Sequence, residues 1–198
     1  AGPYLNLSPT QPEEGRIRLV HSGIAVPERN IEALIDATLA LDEKFTLDLY
    51  LIGKTAYLSR LRARAAGSDR VRFCDPVHTS KLPATLNQYD LGVYLLEVRS
   101  TNHRLMLPNK FFDFVQARLG LVFGPSIETS RLINERKLGV VTAGWHYMDL
   151  VDALRGLTTD DIVQHKTAAN AAAEDLSSAT DLKTQEELIS GLLGSSPA

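Results

Sequence analysis

The chain holds a single cysteine, Cys74, among its 198 residues. No internal disulfide can form, which suits a reducing compartment. No apolar run reaches the roughly 18 residues that a membrane span needs. The opening residues, Ala1-Gly2-Pro3-Tyr4, have neither the basic nor the apolar region of a signal peptide. A cytoplasmic location is therefore expected, and the start at Ala1 rather than Met suggests an excised piece. Positive charge is not in excess: 21 Lys and Arg face 24 Asp and Glu, a net charge of −3. That balance argues against nucleic acid as a partner. The histidines, His21, His78, His103, His146 and His165, form no pair at metal-ligand spacing and have no cysteine beside them, so no metal site is expected. No Ser–His–Asp arrangement follows from order or spacing. Two phosphate fingerprints are also missing. There is no GxGxxG, and Gly53-Lys54-Thr55 only imitates the end of a phosphate loop, because the position that needs the earlier glycine is Asp48. Asn6-Leu7-Ser8 is a glycosylation sequon by chance, since no secretory signal precedes it.

What is present is a regular alternation. The hydrophobic fraction, 44%, is enough for a core, and the length suits one domain or two small ones. Strand-like runs lie at 16–22, 46–52, 70–73, 90–96, 119–123 and 139–142. Helical spacing lies between them, at 27–42, 55–66, 80–88, from Pro108 onward, from 126 to about 137, and at 146–157. The pattern predicts an α/β fold: a Rossmann-like, doubly wound parallel sheet of about six strands with helices on both faces. Residues 1–15 hold three of the nine prolines and read as a linker, 16–157 as the domain, and 158–198 as a helical tail. Within the tail, 159–176 is alanine-rich. It is expected to lie across the surface or to dock on a partner domain. A last short helix is expected over 182–193, with a frayed end. Trp145 and Tyr147 read as packing residues rather than an exposed aromatic edge.

The stretch 90–124 organises the rest. It runs strand, loop, helix, strand, and its helix opens with Pro108-Asn109-Lys110. Proline suits the first helical position, where its missing N–H has no partner to lose. Lysine is the wrong charge there, by about 0.3–1 kcal/mol. The misfit vanishes if an anion sits on the free backbone N–H groups; otherwise the lysine bends into solvent. A second unit repeats the arrangement, with Pro27 opening a helix and Arg29 in its first turn. In a parallel sheet such helix starts lie at the carboxyl edge of the strands, so both cations can meet one diphosphate. His21, at the end of the first strand, either faces that ligand or packs over the sheet edge. His103 lies in a loop beside Arg104. Asp113, early in the same helix as Lys110, is otherwise an ordinary solvated carboxylate.

From about 16 to 157 the chain resembles the C-terminal, donor-binding domain of retaining glycosyltransferases of the two-Rossmann-domain (GT-B) architecture. The likeness is to the large group-1 family of sucrose synthases and bacterial cell-surface sugar transferases. It rests on His21-Ser22-Gly23, Pro27-Glu28-Arg29, Leu49-Tyr50-Leu51-Ile52-Gly53, the segment from Val71 to Val77, Tyr89-Asp90-Leu91-Gly92-Val93, and above all Leu107-Pro108-Asn109-Lys110-Phe111-Phe112-Asp113-Phe114. The resemblance implies a nucleotide-diphospho-sugar as donor substrate and no metal cofactor. It implies catalytic charge from Arg29 and Lys110, with Pro108 and Asn109 opening the helix that meets the phosphates. Gly23 would let the backbone approach the donor, Asp113 would hold the ribose hydroxyls, and the segment from Phe73 to Val77 would line the base through backbone groups. It also implies an acceptor domain N-terminal to these residues, a role in polysaccharide or glycoconjugate synthesis, and contact with the inner face of the membrane through lipid-linked acceptors. Two positions depart from the family pattern: Ile24 stands where an arginine is common, and Leu105 where a first acid is common. These departures leave two rivals, a degenerate non-catalytic binding module and half of a sugar-nucleotide epimerase. The isolated piece is expected to bind donor and to turn over little.

Overall fold

A computed structural model describes residues 2–97 and 105–178. Six strands, β1 (Ile17–Ala25), β2 (Phe45–Gly53), β3 (Val71–Cys74), β4 (Leu91–Tyr94), β5 (Gly120–Phe123) and β6 (Gly139–Val141), form one sheet. Seven α-helices accompany them among the described residues: α1 (Ile31–Ala40), α2 (Thr55–Arg64), α3 (Leu82–Leu86), α4 (Asn109–Gln116), α5 (Ile127–Arg136), α6 (Tyr147–Arg155) and α7 (Thr159–Ala172). All strand pairs are parallel, in the order β3-β2-β1-β4-β5-β6. This is the doubly wound sheet that the alternation predicts.

Each face has its own apolar core. On one, Ile31, Leu34 and Ile35 of α1, Leu61 of α2 and Leu150, Val151 and Leu154 of α6 pack on the sheet. On the other, Phe111, Phe114 and Val115 of α4, Leu82 and Leu86 of α3, and Ala169 and Ala172 of α7 do so. Small residues set the spacing on this second face. A methyl group on Gly92 of β4 would fall 2.3 Å from a ring carbon of Phe114, so only glycine lets α4 lie this close to the strand. The alanine-rich tail is not a loose cover: Ala169, Ala172 and Ala173 are buried in this core. Alanine gives helix propensity without bulk, and α7 comes down on the start of β5, where Gly120 lies beneath His165.

The chain winds outward from β1 to β3 and then crosses to β4, so β1 and β4 flank the switch point. Their pairing covers only Leu19–Val20 with Leu91–Gly92. β1 and β2, in contrast, stay paired through Ala25 and Gly53, three residues farther along β1 than its expected end. Mutual pairing carries both strands past their neighbours. It leaves Ile24 and Ile52, which are register partners, more than half exposed at the tip.

Two helix starts differ from expectation. Pro108 is not the first helical residue but the residue before it, with extended backbone (ψ 147°), and α4 begins at Asn109. Pro27 does not open α1. Pro27–Arg29 forms a separate 3-10 turn, Asn30 follows in the left-handed conformation (φ 52°), and α1 starts at Ile31. Asparagine tolerates that conformation, and its side-chain amide donates to the Trp145 carbonyl at 2.8 Å. The expected helix at 182–193 lies outside the described residues.

Candidate functional site

Where β1 and β4 stop pairing, His21 takes over. Its Nδ1 lies 2.9 Å from the Val93 carbonyl. A carbonyl only accepts, so Nδ1 carries the proton and Nε2 is bare. The ring is buried and lies nearly parallel to that of Tyr94, 6.0 Å away. Burial pushes the His21 pKa down to about 4; the Val93 hydrogen bond opposes the shift, and the charges of Lys110 and Arg29 add to it. The imidazole is neutral at pH 7 and feels both predicted cations.

Lys110 reaches this point from α4. Its stem passes over Gly23, where an added methyl group would lie 3.1 Å from Lys110 Cε. Gly23 also has φ +146°, which side-chain-bearing residues rarely adopt. Glycine is therefore required here twice, by backbone conformation and by the lysine above it. The ammonium ends on Asp113, 2.8 Å from Oδ2, and both side chains are largely covered. Arg29 approaches from the 3-10 turn and donates to the Tyr94 hydroxyl at 3.2 Å. Pro108 provides no side-chain cap for α4, so the first amides of the helix, at Asn109 and Lys110, have no helical acceptor. The Phe111 amide turns back to the Pro108 carbonyl.

The structure thus gathers Gly23, Arg29, Pro108, Asn109, Lys110 and Asp113 around the switch point, with His21 and Tyr94 beneath. It divides the segment from Phe73 to Val77. Phe73 packs toward the α1–α2 core with the Arg62 guanidinium over its ring at 4.7 Å, whereas Val77 packs on the other core. Between the start of α4 and the turn at Thr79–Lys81 lies an open cleft of about 450 Å³, bordered by Thr79, Ser80, Asn109, Lys110 and Asp113. Sequence reasoning missed Tyr94, Thr79 and Ser80. Tyr94 sits in an apolar strand where nothing marks its hydroxyl, and Thr79 and Ser80 look like ordinary loop residues. Trp145 packs against Gly124. His103 and Arg104 lie outside the described residues. Leu105 is exposed.

No family model matches the chain, and no curated protein matches it. Solved structures do. HepE from Anabaena, in complex with UDP and glucose, matches with a TM-score of 0.73 at 16% identity, over 89% of this chain and 49% of that one. TarM from S. aureus, in a complex that includes UDP, matches with a TM-score of 0.72 at 14% identity, over 93% of this chain and 38% of that one. The C-terminal domain of LpcC, a group 1 glycosyltransferase of Francisella tularensis, matches with a TM-score of 0.60 at 14% identity, over 81% of this chain and 83% of that one.

This is the fold of one half of a GT-B glycosyltransferase.

The LpcC match, to a C-terminal domain, covers most of both chains. The chain spans less than half the length of HepE or TarM. Its carboxyl edge carries two cations, an uncapped helix start and one carboxylate, a set that can hold a dianion next to hydroxyl groups. Among the described residues, no group of three or more His, Cys, Asp or Glu side chains is placed to hold a metal ion, and no helix is long and apolar enough to cross a membrane.

Proposed function

We propose that the chain is the donor-binding half of a glycosyltransferase. It holds a nucleotide-diphospho-sugar while the sugar passes to an acceptor bound by a companion domain, in polysaccharide or glycoconjugate synthesis. The observation that carries this reading is the crossing of Lys110 over Gly23, with the charge of Arg29 bearing on the same buried imidazole. The diphosphate accumulates negative charge as its bond to the sugar breaks. Lys110, Arg29 and the first amides of α4 supply fixed positive charge there without a metal ion. When phosphate takes Lys110, Asp113 loses its cation and becomes free to accept from the ribose hydroxyls. His21 stays neutral and braces Tyr94, which in turn accepts from Arg29. Retention of configuration and a site at the inner face of the membrane belong to the same proposal.

Titration calorimetry with UDP, GDP and ADP, with and without Mg²⁺, tests the reading. One nucleotide binds without metal, and binding weakens about tenfold or more in both Arg29→Ala and Lys110→Ala. The rival, a non-catalytic module, draws support from exposed Ile24 and from the ion pair that already occupies Lys110. It predicts that none of the three nucleotides binds.

A further inference from the structure

The first residues of the chain do not behave as a free linker. They form a strap along the α3–α4–α7 face. The Leu5 amide donates to Gln116 Oε1 at 3.3 Å. The Thr10 hydroxyl donates to the Asn87 carbonyl at 2.9 Å, and the Asn87 amide donates to the Ser8 carbonyl at 3.0 Å. Lys166 Nζ donates to the Thr10 hydroxyl at 3.1 Å, and the Ser178 amide to the Gly2 carbonyl at 2.8 Å. The main anchor is Arg118, just past the end of α4. It is fully buried, takes a left-handed backbone (φ +60°) where glycine is usual, and lies beneath the Tyr4 ring at 5.4 Å. Its guanidinium donates to the carbonyls of Leu5, Val115 and Gln116 and to Asn170 Oδ1. These acceptors are all neutral, and burying a charge against them carries a cost. That cost is spent on fixing the strap to the helix whose other end presents Lys110.

The strap leads somewhere specific. Gly2 and Pro3 line the same cleft of about 450 Å³ as Thr79, Ser80, Lys110 and Asp113. That size falls within the usual range for small-ligand sites. The cleft opens next to the groups that would meet the phosphates and ribose. We infer that Gly2-Pro3 forms one wall of the nucleoside subsite, so that docking of the strap and binding of a nucleoside diphosphate reinforce each other. The inference rests on the donor-site reading above and adds a wall that lies outside the Rossmann-like sheet. It also makes the strap a handle: whatever pulls it off α4 and α7 opens the base end of the site.

A Cβ on Gly2 meets nothing within 4 Å, so an alanine methyl fits there and a larger side chain starts out in open space, with the thermal midpoint checking that packing is kept. The experiment compares UDP, GDP and ADP binding to the wild-type chain, Gly2→Ala and Gly2→Trp, with thermal midpoints measured in parallel. It also follows hydrogen exchange of the Leu5 amide with and without the nucleotide that binds. The wall predicts unchanged midpoints, unchanged binding in Gly2→Ala, binding weakened about tenfold or more in Gly2→Trp, and slower exchange at Leu5 when nucleotide is bound. Equal binding by wild type and Gly2→Trp, with no change at Leu5, overturns the wall and leaves the donor site standing. Failure of wild type to bind any of the three nucleotides removes the donor-site reading, and the wall falls with it.

Discussion

The two proline-led cations look alike in sequence and are built differently. Lys110 sits in the first turn of a regular helix, and its stem lies across Gly23. Arg29 ends a 3-10 turn that a left-handed asparagine separates from α1, and its guanidinium is steered by the Tyr94 hydroxyl. One cation is thus placed by a helix axis and the other by a turn and a hydrogen bond. The helix-borne lysine also gains the uncapped amides beside it. The difference shows that a shared spacing fixes where a charge enters the cleft and leaves open what holds it there.

The largest test concerns the imidazole that feels both cations. The pKa of His21 lies at about 4 in the fold, against about 6.5 unfolded. As pH falls through this window the unfolded chain binds a proton that the folded chain refuses. Stability is fully present above pH 6.5 or so and falls by about 3 kcal/mol by pH 4. Urea unfolding at several pH values checks this, and His21→Gln should flatten that part of the profile. An NMR titration refines the comparison: Lys110→Ala should raise the His21 pKa more than Arg29→Ala does.

Next is the helix support. In Gly92→Ala the new methyl group falls within the Phe114 ring, so α4 must move. We expect a loss of about 1–3 kcal/mol, read as a lower thermal midpoint. Nucleotide binding should weaken through Lys110 while the Arg29–Tyr94 contact persists. Third, removing either cation directly should cost about tenfold to a hundredfold in nucleotide diphosphate affinity by calorimetry, with Lys110→Ala the more damaging. The smallest effect is Asp113→Asn. It releases the lysine from a partly covered ion pair, so pyrophosphate should bind up to a few-fold more tightly, while nucleotide gains less because the ribose loses its acceptor.

The sheet, its parallel sense and its helices on both faces were legible because short apolar runs of strand length alternate with segments of helical spacing. Lys110 stood out because a cation at a helix start is an electrostatic oddity; Arg29 stood out for the same reason but closes a 3-10 turn instead. The 3-10 turn at Pro27 was not, since proline favours both kinds of turn and only the contact from Asn30 to Trp145 decides between them. The end of β1 was missed because pairing with β2 carries it three residues farther. The role of α7 was hidden by its alanines, whose small side chains let the helix pack into the second core while adding little apolar area of their own. The strap read as a linker because its anchors, Gln116, Arg118 and Lys166, are polar residues whose burial depends on contacts far away in sequence.

The pairing of Lys110 with Asp113 balances one of the two cations at this edge and leaves Arg29 on a neutral hydroxyl, and that has a bearing on selectivity. Orthophosphate that takes the lysine sets its own negative charge beside the released carboxylate, and its hydroxyls belong to that same anion. A ligand that brings an anion and a pair of hydroxyls together satisfies both partners in one exchange. On the proposed donor-site reading, the ion pair is a two-key lock that a lone anion turns only halfway.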